Sequence, residues 1–132
     1  MQLSYNDQII RVVSLLLTQL KVPFTATSLR DDLETHPDFP SLHAVTGVLR
    51  ERNIETAAIK LSADQLFTLD APVLIVPDSD LQEPSLISSI NEGYITRQYP
   101  DGRVFVSTLA DFKATCICLD NCCLVFGFLH CL

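Results

Sequence analysis

The apolar residues of this chain follow two regimes. Through residue 52 they recur at intervals of three and four; from residue 54 onward they alternate or run in short blocks. The first regime predicts helices. Over residues 7–20 (DQIIRVVSLLLTQL), Ile9, Val12, Val13, Leu16 and Leu20 share one face. Leu15 and Leu17 widen that face, which places this helix at the centre of the fold. Asp7 is the expected cap and Pro23 the stop. A shorter helix follows at 26–34, where Leu29 and Leu33 stand four apart. Residues 35–39 include Pro37 and read as a connector. From Pro40, with Asp38 or Phe39 at the cap, Leu42, Val45, Val48 and Leu49 give a third helix up to Arg52.

The second regime predicts strands. IETAAIKL (54–61) is one, and SADQLFTL (62–69) is a short helix with a capping box from Ser62 to Gln65. APVLIVPD (71–78) is an apolar strand. PSLISSI and YITRQ form a hairpin about NEG, YPDG turns the chain into RVFVS, and Thr108 to Lys113 is a last helical turn before a final apolar strand. Helices followed by antiparallel strands are the α+β pattern. The expectation is one domain over 1–132, with a helical lobe over about 1–53 and a sheet lobe of five or six strands over about 54–126. FLHCL, after Gly127, has no place in this scheme.

Composition narrows the function classes. Apolar residues make up 48% of the chain and charged ones 19%, which suits a folded domain with a core. The formal net charge of −7 argues against nucleic acid and anionic membrane as partners, since both require a basic footprint. Asp7 precedes the first apolar run and Arg11 interrupts it, so the N-terminus does not read as a signal peptide. No apolar stretch is long enough for a bilayer span. All five cysteines, Cys116, Cys118, Cys122, Cys123 and Cys131, fall in the last 17 residues. A secreted disulfide framework would spread them over the fold, so a reducing compartment, the cytoplasm, is expected.

Two stretches invite a chemical reading. THPDFPSLHAV (35–45) holds His36, Asp38, Ser41 and His43, but a catalytic triad converges from distant segments, and Ser41 suits a helix start, where its hydroxyl satisfies a free N–H. His36 on the connector and His43 in the helix are not a simple i, i+4 ligand pair. The terminal cysteines lack the paired spacing of a structural zinc site and read as buried strand residues. Asp101-Gly102 is a turn signal, and Glu83 lies on a polar connector expected to be solvated. No metal or cofactor is implied.

Several segments, in this order, resemble the bacteriocin-processing cysteine peptidases (peptidase family 39), the papain-like domains at the N-termini of peptide-exporting ABC transporters. They are the Gln2…Asp7 start with its helix, SLRDDL (28–33), PSLHAVTGVLRERNIETAAIKL (40–61), DQLFTLDAPVLIV (64–76), and the hairpin through LADF (109–112). HPDFPSL with IETAAIKL also resembles relatives fused to vitamin K epoxide reductase-like membrane proteins. The resemblance implies that Gln2 is a remnant of the oxyanion-hole glutamine, and that Gln8 stands where the nucleophilic cysteine belongs. The histidine position falls on Glu83 or Pro84 and the aspartate position on Tyr99, with Asp101 two residues on. An amide forms no thiolate, so the catalytic positions are degenerate.

The implied function is an inactive peptidase-like domain that binds a peptide or partner segment through Gln2, Gln8, Glu83, Tyr99 and Asp101. It would serve a bacterial peptide or toxin exporter, or a membrane oxidoreductase, from the cytoplasmic side of the inner membrane. Two alternatives stay open. One is an active cysteine peptidase that processes leader peptides, its displaced nucleophile being Cys116 or Cys118. The other is a thiol redox or metal-binding accessory domain.

Overall fold

A computed structural model describes residues 3–59, 72–77, 83–108, 110–111 and 122–129. Three helices come first: α1 (Tyr5–Gln19), α2 (Ala26–Glu34) and α3 (Leu42–Glu51). Six strands follow: β1 (Ile54–Ile59), β2 (Val73–Pro77), β3 (Ser85–Asn91), β4 (Tyr94–Gln98), β5 (Val104–Thr108) and β6 (Cys122–Leu129). They form one antiparallel sheet in the order β1-β6-β2-β3-β4-β5. The last strand in sequence therefore inserts between the first two, pairing Ile54 with Leu129 on one side and Val73 with Phe126 on the other. The strand runs through Leu129, which extends the sheet lobe past the expected limit at 126: FGFL continues the ladder with β1.

The core follows the helical spacing, except that Ile10 joins it and Leu15 and Leu20 pack against it only partly buried. Ile9, Val12, Val13, Leu16 and Leu17 of α1 are buried, with Leu29 and Leu33 of α2 and Val45, Val48 and Leu49 of α3. They pack with Ile54, Leu74, Val76 and Leu86 of the sheet. Both α1 and α3 contact the sheet: α1 lies on β2 and β3, α3 on β1. A β-bulge between Ile87 and Ser89 interrupts the β3–β4 pairing, and the carbonyl of Ser88 at the bulge accepts a 2.7 Å hydrogen bond from Gln19 Nε2. The end of α1 is thereby tied to the sheet.

Caps differ from expectation. Ser4, not Asp7, caps α1: its Oγ accepts the Asp7 N–H at 3.2 Å. Ser41, not Asp38 or Phe39, caps α3 by accepting the Ala44 N–H, so Pro40 precedes the helix instead of filling its first turn. In each case a hydroxyl three residues before the N–H gives the better reach. Lys21 closes α1 in the left-handed region (φ 59°), with Lys21 and Val22 N–H donating to Thr18 and Leu17 carbonyls, a Schellman motif. Asn53 (φ 66°) also takes the left-handed region after α3, its N–H donating to the Arg50 carbonyl at 3.0 Å. Glu92 and Gly93 form the two-residue hairpin loop, both at positive φ. The expected helix at 62–69 lies outside the described residues; of the expected turn at 108–113, residues 110 and 111 are helical. Among the described residues no helix is long and apolar enough to cross a membrane.

Candidate functional site

Two elements converge on the candidate site: one face of α1, and the turn between β4 and β5. Because α1 begins at Tyr5, Gln8 sits in its first turn, its N–H already bonded to the Ser4 carbonyl at 2.9 Å. The Gln8 side chain is half-buried, and its Nε2 donates to the Leu3 carbonyl at 3.2 Å. Among the described residues no hydrogen bond joins Gln8 to Glu83, Tyr99 or Asp101. Beside it, Asp7 pairs with Arg30 of α2 at 3.0 Å. The Arg30 hydrogen bond, helped by Ser4, lowers the Asp7 pKa, so a fixed negative charge adjoins position 8. Gln2 lies outside the described residues.

The second element is built by Tyr99-Pro100-Asp101-Gly102. Gly102 N–H donates to the Tyr99 carbonyl at 3.1 Å, and Tyr99 N–H to the Arg103 carbonyl at 2.9 Å. Gly102 has φ 98°, which an L side chain resists, and this lets the chain double back so that Arg103 N–H reaches Asp101 Oδ1 at 3.0 Å. The Arg103 guanidinium then becomes the hub. Its Nε meets Asp101 Oδ2 at 2.6 Å, and its NH2 group meets both oxygens of Glu83 at 2.8 and 2.7 Å. It also lies 4.7 Å from the Tyr99 ring centroid, with Arg97 at 5.0 Å and Phe105 edge-on at 5.6 Å.

Three residues singled out from the sequence, Glu83, Tyr99 and Asp101, are thus brought together, and the agent is a residue the sequence reading passed over. Glu83 is exposed but not simply solvated, and Asp101 is more than a turn former. The Arg103 backbone N–H first, and its side chain next, lower the Asp101 pKa. The Glu83 hydrogen bond chiefly raises that of Arg103. Lowered at Asp101 and raised at Arg103, these two groups stay ionised across the neutral range.

Between the two elements runs a groove of about 240 Å³, lined by Arg11, Ser14, Leu15 and Thr18 of α1 and by residues 99–102. Gln8 stands one turn before Arg11 on the same helix. The groove's chemistry follows from its hydrogen bonds. Ser14 and Thr18 donate their hydroxyl protons to the Ile10 and Ser14 carbonyls, each at 2.8 Å. Their oxygens are left as acceptors. Arg11 has no ion pair among the described residues, so it supplies donors. Leu15 gives apolar contact. This set of acceptors, donors and one apolar surface suits a peptide backbone. The stripe was visible in the sequence as Arg11, Ser14, Leu15 and Thr18 at helical spacing, but it carries no catalytic residue type to draw notice. Of the thiols, Cys116, Cys118 and Cys131 lie outside the described residues, while Cys122 and Cys123 start β6.

No protein-family model matches the chain, and no curated protein does. Solved structures do. A double-glycine-motif protease from an AMS/PCAT transporter, crystallised with the leader peptide, superposes at a TM-score of 0.71 with 15% identity, covering 96% of this chain and 87% of that one. The peptidase domain of Streptococcus ComA, a bifunctional ABC transporter of a quorum-sensing pathway, gives 0.71 at 16%, covering 98% and 96%. The fold is that of a papain-like peptidase domain. A second structure, the Streptococcus mutans ComA peptidase domain with a small-molecule inhibitor, agrees at 0.58 and 15% identity, over 96% of this chain and 95% of that one. The α+β expectation from the element order holds, down to the three leading helices.

Proposed function

We propose that this chain is a catalytically inactive relative of the peptide-exporter peptidase domains, and that it holds a peptide or partner segment in the groove between α1 and the β4–β5 turn. The observation that carries the reading is the Arg103 guanidinium between Glu83 and Asp101. On the resemblance drawn from the sequence, these residues stand at or beside the positions of the peptidase base and its orienting acid. A base must accept a proton from the nucleophile; a permanently charged guanidinium cannot, and its two carboxylate partners are engaged by it. At position 8 an amide replaces the thiol.

The binding role draws support from the groove's donors and acceptors and from the solved neighbour that carries a leader peptide. Gln2, Gln8, Glu83, Tyr99 and Asp101 are the proposed peptide-facing set, with Arg11, Ser14 and Thr18 added. The domain serves as an accessory module of a bacterial peptide or toxin exporter, or of a membrane oxidoreductase, on the cytoplasmic face. Incubation with a double-glycine leader peptide, followed by mass spectrometry, is expected to return the peptide intact. Cleavage would overturn the inactive reading. Loss of that cleavage on alkylation would point to a displaced C-terminal thiol such as Cys116 or Cys118.

A further inference from the structure

The connector between α2 and α3 packs chemistry that the groove does not use. His36, Asp38 and His43 each offer a ligand atom, and these atoms all lie within 4.8 Å of one another. His43 Nε2 and Asp38 Oδ2 are 3.7 Å apart, too far for a good hydrogen bond. Two donors on one tetrahedral zinc ion stand about 3.4 Å apart, given metal–ligand distances of about 2.0–2.1 Å. A few tenths of an ångström close that pair, and at most about 1.4 Å brings in the third.

One ligand is anchored and two are adjustable. His36 is half-buried, and its Nδ1 accepts the Asp38 N–H at 3.2 Å. Its ring lies against α3 at Gly47, where an added Cβ would stand 3.3 Å from Nε2. The two imidazoles meet edge to face, 5.7 Å between centroids. The side chains of His43 and Asp38 are 77% and 53% exposed, so rotamer changes meet little resistance. Gly47 follows His43 by one helical turn, and a Cβ there would move the His36 ring away from α3 by a few tenths of an ångström.

We propose that His36, Asp38 and His43 form a divalent-metal site of the zinc class, separate from the groove. Two imidazoles and one carboxylate select zinc, nickel or copper over calcium and magnesium, which take all-oxygen shells. The net charge of −7 favours the approach of a cation. The fourth position faces solvent, open to water or to a side chain of a partner. The metal clamps the connector onto the start of α3. At His36 the coordinate bond replaces the Asp38 N–H hydrogen bond through Nδ1, or forms through Nε2 after a ring flip. The site does not depend on the peptide-binding reading.

The test is a titration of the intact, reduced, metal-free chain with zinc chloride, followed by histidine-resolved NMR, which separates this site from uptake by the cysteines. The His36 and His43 rings are expected to respond along one curve that saturates at one metal per chain. His43→Ala should abolish the His36 response, and Asp38→Asn should weaken zinc binding at least about tenfold. Gly47→Ala, which displaces the anchored ring without removing a ligand, should weaken it while circular dichroism stays unchanged. Rings that titrate with separate midpoints, rings that do not respond, or a His36 response that survives His43→Ala would each overturn the site. An unchanged affinity in Gly47→Ala would overturn the anchoring role of His36.

Discussion

Gly102→Ala tests whether the β4–β5 turn really forms a wall of the groove. At Gly102 the backbone has φ 98°, and an added Cβ would meet nothing within 4 Å. The cost is therefore conformational alone, about 1–2 kcal/mol for an L side chain held in left-handed space. For a 132-residue domain the unfolding entropy is about 0.28 kcal/mol/K, so the melting temperature should fall by about 4–7 °C. Gly93 is the control. It has φ 82° with equally open space, and it sits on the β3–β4 hairpin instead of the groove. Gly93→Ala should cost the same in thermal denaturation. The two variants should part in peptide titrations. Relaxing the strained turn at Gly102 shifts Tyr99 and Asp101 and weakens leader-peptide binding by up to about tenfold, the equivalent of about 1.4 kcal/mol; Gly93→Ala leaves binding unchanged. An unshifted melting temperature for Gly102→Ala would refute the conformational argument. Equal loss of affinity in both variants would refute the wall.

The remaining predictions concern charge and chemistry. Asp7 and Asp101 have folded-state pKa values below the ordinary carboxylate range, so the stability they contribute is present above about pH 4, the unfolded value, and is lost as pH falls through the folded ones. Urea denaturation from pH 6 to pH 2 should show this acid slope, and Asp7→Asn with Asp101→Asn should flatten it; an unaltered slope contradicts the assignment. Arg52 is mostly buried, pairs with Asp32 at 2.8 Å, and has a buried Nε without a partner. Asp32→Ala should cost about 1–2 kcal/mol by leaving the guanidinium without its carboxylate and with only the 3.4 Å contact to Ser28 Oγ, whereas Arg52→Leu should cost less; the reverse order in chemical denaturation would contradict it. Gln8→Cys should yield no peptidase, because the thiol gains no base and adjoins the Asp7 carboxylate; turnover of a leader peptide by this variant would show that a base is at hand.

The fold was legible because its determinants are periodic. Ile9, Val12, Val13 and Leu16 announce α1 through spacing alone, and Leu29 with Leu33 marks α2 to the residue. The caps were misplaced because Asp and Ser compete for the same role, and only geometry decides between Asp7 and Ser4. The place of β6 between β1 and β2 was not legible, since long-range pairing leaves no local mark. At the candidate site, the turn at YPDG was legible because its signal is local, while Tyr99 and Asp101 entered as site residues only through the family resemblance. Arg103 was missed because its role depends on Glu83, 20 residues earlier in sequence and adjacent only in space. His36, Asp38 and His43 were set aside because no regular helix spacing relates them; the connector, not a helix face, brings them together.

The central claim is that the groove binds peptide without cutting it, and backbone-amide NMR of the chain titrated with an uncleaved double-glycine leader peptide tests it most directly. Saturable shifts are expected at Arg11, Ser14, Leu15 and Thr18 and at Tyr99, Asp101 and Gly102, with the peptide recovered whole afterwards. Shifts confined to other surfaces, or a peptide recovered in two pieces, would contradict it.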